Sequence, residues 1–345
     1  MWLYNFGLSL YAFAIALVSP WHRKAKRWRD GRKHLLQRMA EAIDPSEPIV
    51  WVHVASLGEF EQGRPIIEKI RLEHPRYKIL LTFFSPSGYE IRKDYPGADY
   101  IFYLPIDTPR NARRFLDIVR PEIAIFVKYE FWINLLTGLR RRGIRTYIVS
   151  AIFRRNSVFF RQWGGLWRQA LETFDTLFVQ NEESRILLGK LGFDNVVVAG
   201  DTRFDRVAQI AANAKRIELV ERFRGGERLF VAGSTWGPDE ELLIELMNAN
   251  PGIKFVVAPH EMDESRIARL IGETRGGAVR YTRCTDSTVL DDKQLLILDT
   301  VGILASVYGY ATWAYIGGGF GVGIHNTLEA ATFGLPVAFG PNYAK

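Results

Sequence analysis

Cysteine is almost absent from this sequence, which has a single one, Cys284, in 345 residues. One cysteine cannot close an internal disulfide, and such scarcity is typical of proteins that fold in a reducing compartment. The C-x-x-C and H-E-x-x-H spacings of common zinc sites are also lacking, and no D-x-D motif is found. We therefore expect no disulfide framework, no metal and no bound cofactor.

Acidic residues are nearly missing between Pro20 and Met39, where only Asp30 opposes eight basic residues. The resulting excess of seven positive charges equals the formal net charge of the whole chain, +7. Blocks of this kind are typical of nucleic-acid binding, of binding to anionic lipid, or of a solvated tail. The basic residues are Arg23, Lys24, Lys26, Arg27, Arg29, Arg32, Lys33 and Arg38.

Charge is absent from residues 2–19 (WLYNFGLSLYAFAIALVS), which precede the basic block. About 18 apolar residues is the lower limit for crossing a bilayer, and aromatic residues such as Trp2 and Trp21 near the ends of the run suit the headgroup layer. A signal peptide carries positive charge before its apolar run, whereas here the charge follows it. We predict a membrane anchor over residues 1–21, spanning or interfacial, and a basic juxtamembrane segment over 22–39; the alternative is a buried helix.

The rest of the chain alternates short apolar runs with segments of helical periodicity, which predicts doubly wound parallel α/β sheets. Its length allows two domains, for which we predict residues 40–212 and 213–345. The chain stops at Lys345, a few residues after a predicted strand, where a closing helix would be expected, so the second domain looks truncated. The predicted strands are 49–55, 77–85, 123–128, 145–150, 176–180 and 195–199, then 228–232, 253–257, 294–298, 312–316 and 335–339.

The segment HVASLGEFEQG, residues 53–63, joins a predicted strand to a predicted helix. Ser56 and Glu59 fit the S-x-x-E capping box, in which the two side chains satisfy free amides of the first helical turn. Glu59 also lies at the carboxyl end of a strand, where ligands bind in open α/β sheets. The residues alone leave the structural and the functional interpretation open, and the two are compatible.

A glycine-rich segment, AYIGGGFGVGIHNTLE over residues 314–329, follows another predicted strand. Free amides in such a turn, together with a helix expected to begin near His325, would make a phosphate site. The spacing is not G-x-G-x-x-G, so the dinucleotide fingerprint fails. Asn326 and Glu329 stand one helical turn apart, and the carboxylate could accept hydrogen bonds from ribose hydroxyls. The alternative is glycine-rich packing beside a capped helix.

Other polar turns follow predicted strands at positions where a ligand could bind. Several arginines between Arg140 and Arg168 could also contact the phosphate of a lipid headgroup through paired hydrogen bonds. The turns are 232–236 (AGSTW), 258–261 (APHE) and 299–303 (DTVGI) in the second domain, and 85–88 (SPSG) and 128–132 (KYEFW) in the first.

These segments together resemble the 3-deoxy-D-manno-octulosonic acid (Kdo) transferases, which glycosylate lipid A in Gram-negative bacteria. The resemblance runs from the predicted anchor to Lys345. It implies the GT-B fold, with two facing Rossmann-like domains and a central cleft, and a C-terminal helical segment that this sequence lacks. The motifs that carry it are HVASLGE, YLPIDTP, EFWINLL, GDTRFD, AGSTWGPDEE and GGGFGVGIHNTLEAATFGLPVAFGP.

The resemblance also implies site residues. The catalytic base of the family corresponds to Glu59. Three departures from the family pattern stand out: His260 where arginine is common, Ile303 in place of a glutamate, and Thr327 in place of a proline; Lys128 also stands where many members have glutamate. The residues that correspond to the family's contacts with CMP are Pro259, His260, Val301, Gly302, Ile303, Asn326, Thr327, Leu328 and Glu329.

The function implied is inverting transfer of Kdo from CMP-Kdo to a lipid A precursor, in lipopolysaccharide core biosynthesis at the cytoplasmic face of the inner membrane. An anionic membrane surface is the expected partner. Nucleic acid is not, because the basic block adjoins an anchor rather than a recognition motif, and no obligate protein partner is evident. The alternatives are a membrane-associated GT-B enzyme that uses another nucleotide-sugar, and a basic membrane-tethered binding module without turnover.

Overall fold

A computed structural model of the chain describes residues 1–212, 214–321 and 323–343, and it separates into two compact units. The N-terminal unit is Met1–Arg206 and the C-terminal unit is Val207–Lys345. Each unit has its own parallel sheet, and the change of unit falls within the helix Thr202–Ala212.

Three helices precede the first strand: α1 (Trp2–Val18), α2 (Arg23–Asp30) and α3 (Leu35–Ala42). None of the residues of α1 is buried, and its exposed side chains include Trp2, Phe6 and Phe13. In the described part of the chain, no helix combines the length and the apolar character needed to cross a membrane, so the spanning form of the anchor is not confirmed.

The N-terminal unit is built on a seven-stranded parallel sheet of order β3-β2-β1-β4-β5-β6-β7. Its strands are β1 (Ile49–Val54), β2 (Lys78–Phe83), β3 (Tyr100–Tyr103), β4 (Ile123–Val127), β5 (Arg145–Ala151), β6 (Thr176–Val179) and β7 (Val196–Val198). Its helices are α4 (Leu57–Glu73), α5 (Pro86–Arg92), α6 (Pro109–Val119), α7 (Ile133–Arg141), α8 (Gly165–Leu171), α9 (Glu182–Gly189) and α10 (Thr202–Ala212), with a short 3-10 helix at Val158–Phe160.

The central strand β1 shows why this sheet is covered on both faces. Every residue of β1 is buried, and successive side chains point to opposite faces of a strand. Trp51 packs in the core on one face, whereas Val50 and Val52 pack in the core on the other. Such continuous apolar runs are typical of parallel strands with helices on both sides.

The C-terminal unit has a six-stranded parallel sheet of order β10-β11-β9-β8-β12-β13. Its strands are β8 (Leu229–Thr235), β9 (Lys254–Pro259), β10 (Ala278–Arg280), β11 (Leu295–Ile297), β12 (Trp313–Ile316) and β13 (Val337–Phe339). Its helices are α11 (Glu218–Arg224), α12 (Gly237–Ala249), α13 (Glu264–Glu273), α14 (Leu304–Val307) and α15 (Leu328–Ala331), with 3-10 helices at Tyr281–Arg283 and Tyr308–Tyr310.

The strand order locates a ligand crevice in each unit. In a doubly wound sheet, ligands bind outside the carboxyl ends of the two strands at which the order reverses direction. In the first sheet these strands are β1 and β4, and in the second they are β8 and β12. The turns that follow these four strands are therefore the first places to look for functional side chains.

Candidate active site

Two glutamates lie in the turns after the central strands of the N-terminal unit. Glu59 is the third residue of α4, which begins directly after β1, and Glu130 lies between β4 and α7. Neither side chain is fully exposed. The hydrogen-bond partners of the two carboxylates differ, and this difference separates their roles.

Two ring nitrogens contact the Glu130 carboxylate. The indole nitrogen of Trp132 donates to its Oε2 at 2.7 Å, and Nε2 of His53 lies 3.0 Å from the same oxygen. The Glu130 side chain is 11% exposed, and that of His53 is fully buried. Through this one oxygen Glu130 holds the turn after β4 in place, while its Oε1 has no hydrogen-bond partner among the described residues.

His53 is in turn connected to the middle of the sheet. Its Nδ1 lies 2.9 Å from the Thr82 hydroxyl, which accepts a hydrogen bond from the Trp51 indole at 2.8 Å. The same Nδ1 lies 3.1 Å from the Thr82 carbonyl oxygen, and the Trp132 indole also donates to Nε2 of His53 at 3.1 Å. Polar contacts therefore connect Trp51 through Thr82 and His53 to the carboxylate of Glu130.

Glu59 has a different set of contacts. The hydroxyl of Ser56 donates to its Oε2, and in the described part of the chain its Oε1 has no hydrogen-bond partner. Ser56 occupies the N-cap position of α4 but its side chain accepts no bond from the helix amides. The serine half of the predicted capping box is therefore wrong, because the hydroxyl is used by the carboxylate instead.

Tyr129 lies near charged side chains of both signs. Burial raises the pKa of Tyr129, the guanidinium groups of Arg154 and Arg203 act against this, and the Glu59 carboxylate adds to it. Glu59, Arg154 and Arg203 therefore all lie close enough to Tyr129 to influence its pKa.

The GDTRFD turn, residues 200–205, is fixed to α4. The Thr202 hydroxyl donates to the carbonyl oxygen of Gln62 at 2.6 Å, and the Gln62 amide donates to Asp201 at 3.0 Å. Burial alone would raise the pKa of Asp201, but hydrogen bonds from Arg203 and Gln62 hold it below its usual range. Asp201 is therefore an ionised carboxylate that orients Arg203.

Lys128 adopts a backbone conformation that is uncommon for a residue with a side chain. Its φ is +72°, and its amide donates to the carbonyl oxygen of Val149 at 2.9 Å. Non-glycine residues at positive φ are enriched at functional sites, where the surrounding structure maintains the strain. The left-handed residue turns the chain out of β4 directly before Glu130.

In the C-terminal unit, the glycine-rich segment follows β12 as predicted, but most of its amides are not free. Gly317 donates to the carbonyl of Gly233, Gly318 donates to the carboxylate of Asp239, and Gly323 donates to the carbonyl of Gly318. The expectation of a cradle of free amides is therefore wrong for these positions. The helix expected near His325 begins at Leu328 and is only four residues long.

Close backbone packing explains two of these glycines. A Cβ at Gly317 would lie 2.3 Å from the carbonyl oxygen of Ser234, and one at Gly319 would lie 2.5 Å from the backbone of Gly340. Both distances are shorter than real contacts allow. The buried carboxylate of Asp239 fixes the same region, since it accepts bonds from Gly318 and from the Tyr315 hydroxyl at 2.6 Å.

Three aromatic rings are stacked at the carboxyl ends of β8, β9 and β12. The ring of His260 lies 4.6 Å from that of Trp236 and 4.4 Å from that of His325, measured between centroids. Prediction from sequence included His260 but neither of its neighbours as a site residue. The sequence does contain a feature that could have predicted this cluster: each of the three residues follows a strand of one parallel sheet, so their turns meet at one edge.

Asn326 and Glu329 are in contact, as their spacing predicts. The Asn326 amide donates to the Glu329 carboxylate at 3.1 Å, and its carbonyl oxygen accepts from the amide of Leu328. Thr327 is the N-cap of α15 but contributes no side-chain cap bond. Burial raises the pKa of Tyr308, and the nearby carboxylate of Glu329 adds to this shift.

The segment after β11 reaches back toward β8. A Cβ on Gly233 would lie 2.9 Å from the side chain of Leu304 and 2.1 Å from the Tyr308 hydroxyl. The predicted residues Val301, Gly302 and Ile303 precede Leu304 directly. Val301 is 85% exposed and Gly302 has a φ of +89°, so this turn presents its backbone rather than a packed side chain.

Pro259 ends β9 and is buried in the strand, and the His260 amide donates to the carbonyl oxygen of Thr235 at 3.0 Å. The predicted residues of the C-terminal unit thus follow β9, β11 and β12, at the carboxyl edge of one sheet. Within residues 1–212, 214–321 and 323–343, no group of three His, Cys, Asp or Glu side chains could hold a metal ion.

Comparison with known proteins identifies relatives over most of the chain. A sequence model of the 3-deoxy-D-manno-octulosonic-acid transferases (kdotransferases) matches residues 26–206, just over half of the chain. The chain is 27% identical over 308 residues to the 3-deoxy-D-manno-octulosonic acid transferase of Aquifex aeolicus, covering 87% of this chain and 78% of that protein. For the Haemophilus influenzae enzyme of the same name, the identity is 25% over 324 residues, with 88% and 75% covered.

A further relative is longer. The chain is 24% identical over 340 residues to a bifunctional glycosyltransferase/methyltransferase of Fusobacterium nucleatum, covering 96% of this chain but 52% of that protein. The chain therefore spans about half the length of this relative.

Solved structures with a similar fold are nucleotide-sugar enzymes. The UDP-GlcNAc 2-epimerase of Methanocaldococcus jannaschii has a TM-score of 0.50 and 14% identity, over 85% of this chain and 83% of that one. The enzyme of Neisseria meningitidis, bound to UDP-GlcNAc, also has a TM-score of 0.50, with 12% identity over 77% and 76%. At such identities the similarity shows the fold alone. With the family match over residues 26–206, it follows that the chain belongs to the Kdo transferase family of glycosyltransferases and that its two α/β units are those of the GT-B fold.

Proposed function

We propose that this protein transfers Kdo from CMP-Kdo to a hydroxyl group of a lipid A precursor, with inversion at the sugar and with Glu59 as the general base. The observation that supports this most directly is the difference between the two glutamates beside β1 and β4. One oxygen of Glu130 contacts both the Trp132 indole and the buried His53 ring, whereas among the described residues the hydrogen-bond partner of Glu59 is the small Ser56 hydroxyl alone.

A general base must accept a proton while the bond to the sugar forms. The free Oε1 of Glu59 can do so, and Ser56 orients the carboxylate through its other oxygen. The positive end of the α4 dipole favours a negative charge at Glu59, which lies in the first turn. Arg154 and Arg203, which act on the same Tyr129 side chain as Glu59 does, would attract an anionic acceptor to this part of the unit.

For the donor, the C-terminal unit offers the residues at the carboxyl ends of β8, β9, β11 and β12. The carboxylate of Glu329 is oriented by Asn326 and can accept hydrogen bonds from the ribose hydroxyls of CMP. The rings of Trp236, His260 and His325 form an aromatic cluster at the same edge. The backbone of the turn at 301–303 can contact the nucleotide without a particular side chain.

Helix α1 and the basic block support the proposed acceptor and location. The exposed aromatic and aliphatic side chains of α1 suit a helix that lies in the lipid–water interface, with its apolar face inserted. The lysines and arginines of residues 23–38 would strengthen binding to anionic lipid. We propose that α1 docks the protein on the cytoplasmic face of the inner membrane, where a lipid acceptor is reached without leaving the bilayer.

The test is incubation of the full chain with a lipid A precursor and a supply of CMP-Kdo, followed by mass spectrometry of the lipid. We expect a mass increase of one or more Kdo units. Glu59→Gln should lower the rate by roughly 10²-fold or more, as loss of a general base does, with donor binding nearly unchanged. Glu68→Gln, on the same helix but near its other end, should stay within a few-fold of wild type.

Two results would refute the proposal. A Glu59→Gln variant with near wild-type rate would leave the glutamate with a structural role only. Absence of any Kdo product from active, folded protein would point to another donor, a possibility that the histidine at 260 and the isoleucine at 303 raise. Hydrolysis assays with CMP-, UDP- and ADP-sugars would then identify the nucleotide.

A further inference from the structure

An apolar cavity of about 520 Å³ lies between α1, α2 and the turn that leads from β2 into α5. Its volume is within the range of small-molecule sites, which is roughly 300–1,000 Å³. One wall comes from α1 and the opposite wall from α2 and the turn after β2. The side chains that form it include Tyr11, Ile15, Val18, Trp28, Phe84 and Pro86.

The walls of this cavity are held in position by aromatic contacts and one arginine. Tyr11, Trp28 and Phe84 lie within 5.7–6.3 Å of one another, measured between ring centroids. The guanidinium of Arg32 lies 4.0 Å from the centre of the Trp28 ring. It also donates to the carbonyl oxygens of Trp28, Phe84 and Leu104. The cavity is therefore formed by fixed side chains.

A second cavity, of about 540 Å³, adjoins the first and has a different character. The two share His22, Lys24 and Pro86, and the second adds the basic side chains of Arg23 and Arg27. Glu90 is the one acidic side chain among the residues that line it. An apolar cavity that opens beside three cationic side chains is complementary to a molecule with an apolar chain and an anionic head.

We propose that the apolar cavity binds one acyl chain of an anionic phospholipid, with its phosphate against Arg23, Lys24 and Arg27. The phospholipid is a component of the bilayer on which α1 lies, since Tyr11, Ile15 and Val18 of α1 form one wall. It joins α1 to α2 and fixes the angle at which the helix meets the membrane. This inference concerns lipid binding by the N-terminal unit and does not depend on which sugar is transferred.

Native mass spectrometry of the full chain, released from nonionic detergent with added lipid, tests this. We expect one phosphatidylglycerol to remain bound per chain, at least tenfold more often than phosphatidylcholine, which has no net charge. Ala14→Trp places an indole in the cavity and should reduce retention at least tenfold. Ala16→Trp, on the same helix but not in the cavity wall, should retain lipid as wild type does.

A matched pair of variants tests whether a cationic side chain at the cavity is needed to retain the lipid. Lys24→Gln, in both cavities, should weaken retention several-fold, whereas Lys26→Gln, which lines neither, should have little effect. Equal retention of the two lipids, or wild-type retention by Ala14→Trp, would refute the proposal. Displacement of phosphatidylglycerol by a lipid A precursor at lower concentration would assign the cavity to the acceptor instead. Transfer assays on the same samples would show whether the proposed activity is present, independently of which lipid occupies the cavity.

Discussion

The imidazole Nε2 of His53 lies 3.0 Å from the carboxylate of Glu130, at the position where the strand order of the first sheet reverses. This contact connects the end of β1 to the turn after β4, and it completes a series of polar contacts that begins at the indole of Trp51. Glu130 is thereby tied to the middle of the sheet, whereas the hydrogen-bond partner of Glu59 among the described residues is the Ser56 hydroxyl.

The first prediction concerns Glu130 as a structural anchor. Glu130→Gln replaces a charged acceptor that serves both His53 and Trp132, so the free energy of unfolding should fall by about 1.5–3 kcal/mol, as expected for bonds to a charged group. Urea unfolding measures this, with Glu183→Gln, at an exposed position of α9, as the control. A variant of wild-type stability that has lost its activity would instead place Glu130 among the reacting groups.

The second prediction concerns Ser56. A serine that caps a helix costs about 0.5–2 kcal/mol when it is replaced by alanine. Because the Ser56 side chain makes no cap bond, Ser56→Ala should change the free energy of unfolding by less than that range. Its transfer rate should fall, though by less than tenfold, since Glu59 loses only its orienting donor. A large loss of stability without a change in transfer rate would indicate that Ser56 does act as a helix cap.

The third prediction concerns the donor. Glu329→Ala should weaken binding of CMP by about 1.5–3 kcal/mol, which is typical of hydrogen bonds to a charged group. Isothermal titration calorimetry with CMP alone measures this without any transfer. Glu273→Ala, at the far end of α13, is the control and should bind CMP as wild type does. Equal affinity of the Glu329 variant would show that this residue has no role toward the ribose.

The fourth prediction concerns α1. Phe6→Ser, Leu10→Ser and Phe13→Ser together remove three exposed apolar side chains, each worth about 1.5–3 kcal/mol when buried. Only the attraction of the basic block for anionic lipid should remain, and salt screens it. The triple variant should therefore bind anionic vesicles at low salt and dissociate at high salt. Wild type should stay bound in both, and its release by salt alone would contradict interfacial docking.

The fifth prediction concerns pH. Burial raises the pKa of Asp107 to about 6, although it accepts hydrogen bonds from Tyr4, Asn134 and Leu135. The folded state thus binds this proton more tightly than the unfolded chain, whose pKa is about 3.9. The stabilisation is complete below about pH 4 and is lost as pH rises through 6.

The size of this effect follows from the shift of about two pKa units, which corresponds to about 3 kcal/mol. Urea unfolding between pH 4 and 7 should show it as a fall in the free energy of unfolding of wild type relative to Asp107→Asn. Asp117→Asn, an exposed position on α6, should follow the wild-type pH dependence. Parallel curves for wild type and the Asp107 variant would show that Asp107 titrates normally.

The sequence predicted the elements that are long and strongly apolar. The strands predicted at 49–55 and 123–128 correspond to β1 and β4. Two strands were missed, β3 and β10. Both are short edge strands whose residues are mostly half-buried, so they lack the continuous apolar run that marks a central strand.

The candidate site was predictable only where a single turn carries the signal. Glu59 and the pair of Asn326 and Glu329 stand out from local spacing. The bonds that decide the roles join residues far apart in sequence: His53 contacts Glu130 across 77 positions, and Gly318 donates to Asp239 across 79. Local pattern gives no information on such pairs, and for this reason the glycine amides were wrongly expected to be free.

The attachment of α1 has a consequence for which hydroxyl groups can react. The Tyr4 hydroxyl donates to Asp107 and accepts from the amide of Ile133, the first residue of α7, while Asn5 contacts Asn134. The turn that holds Glu130 ends at this same helix. With α1 lying on the bilayer as proposed, the crevice beside β1 and β4 stands at one fixed height above the lipid surface. The protein would then select an acceptor hydroxyl by the distance of that hydroxyl from the acyl chains.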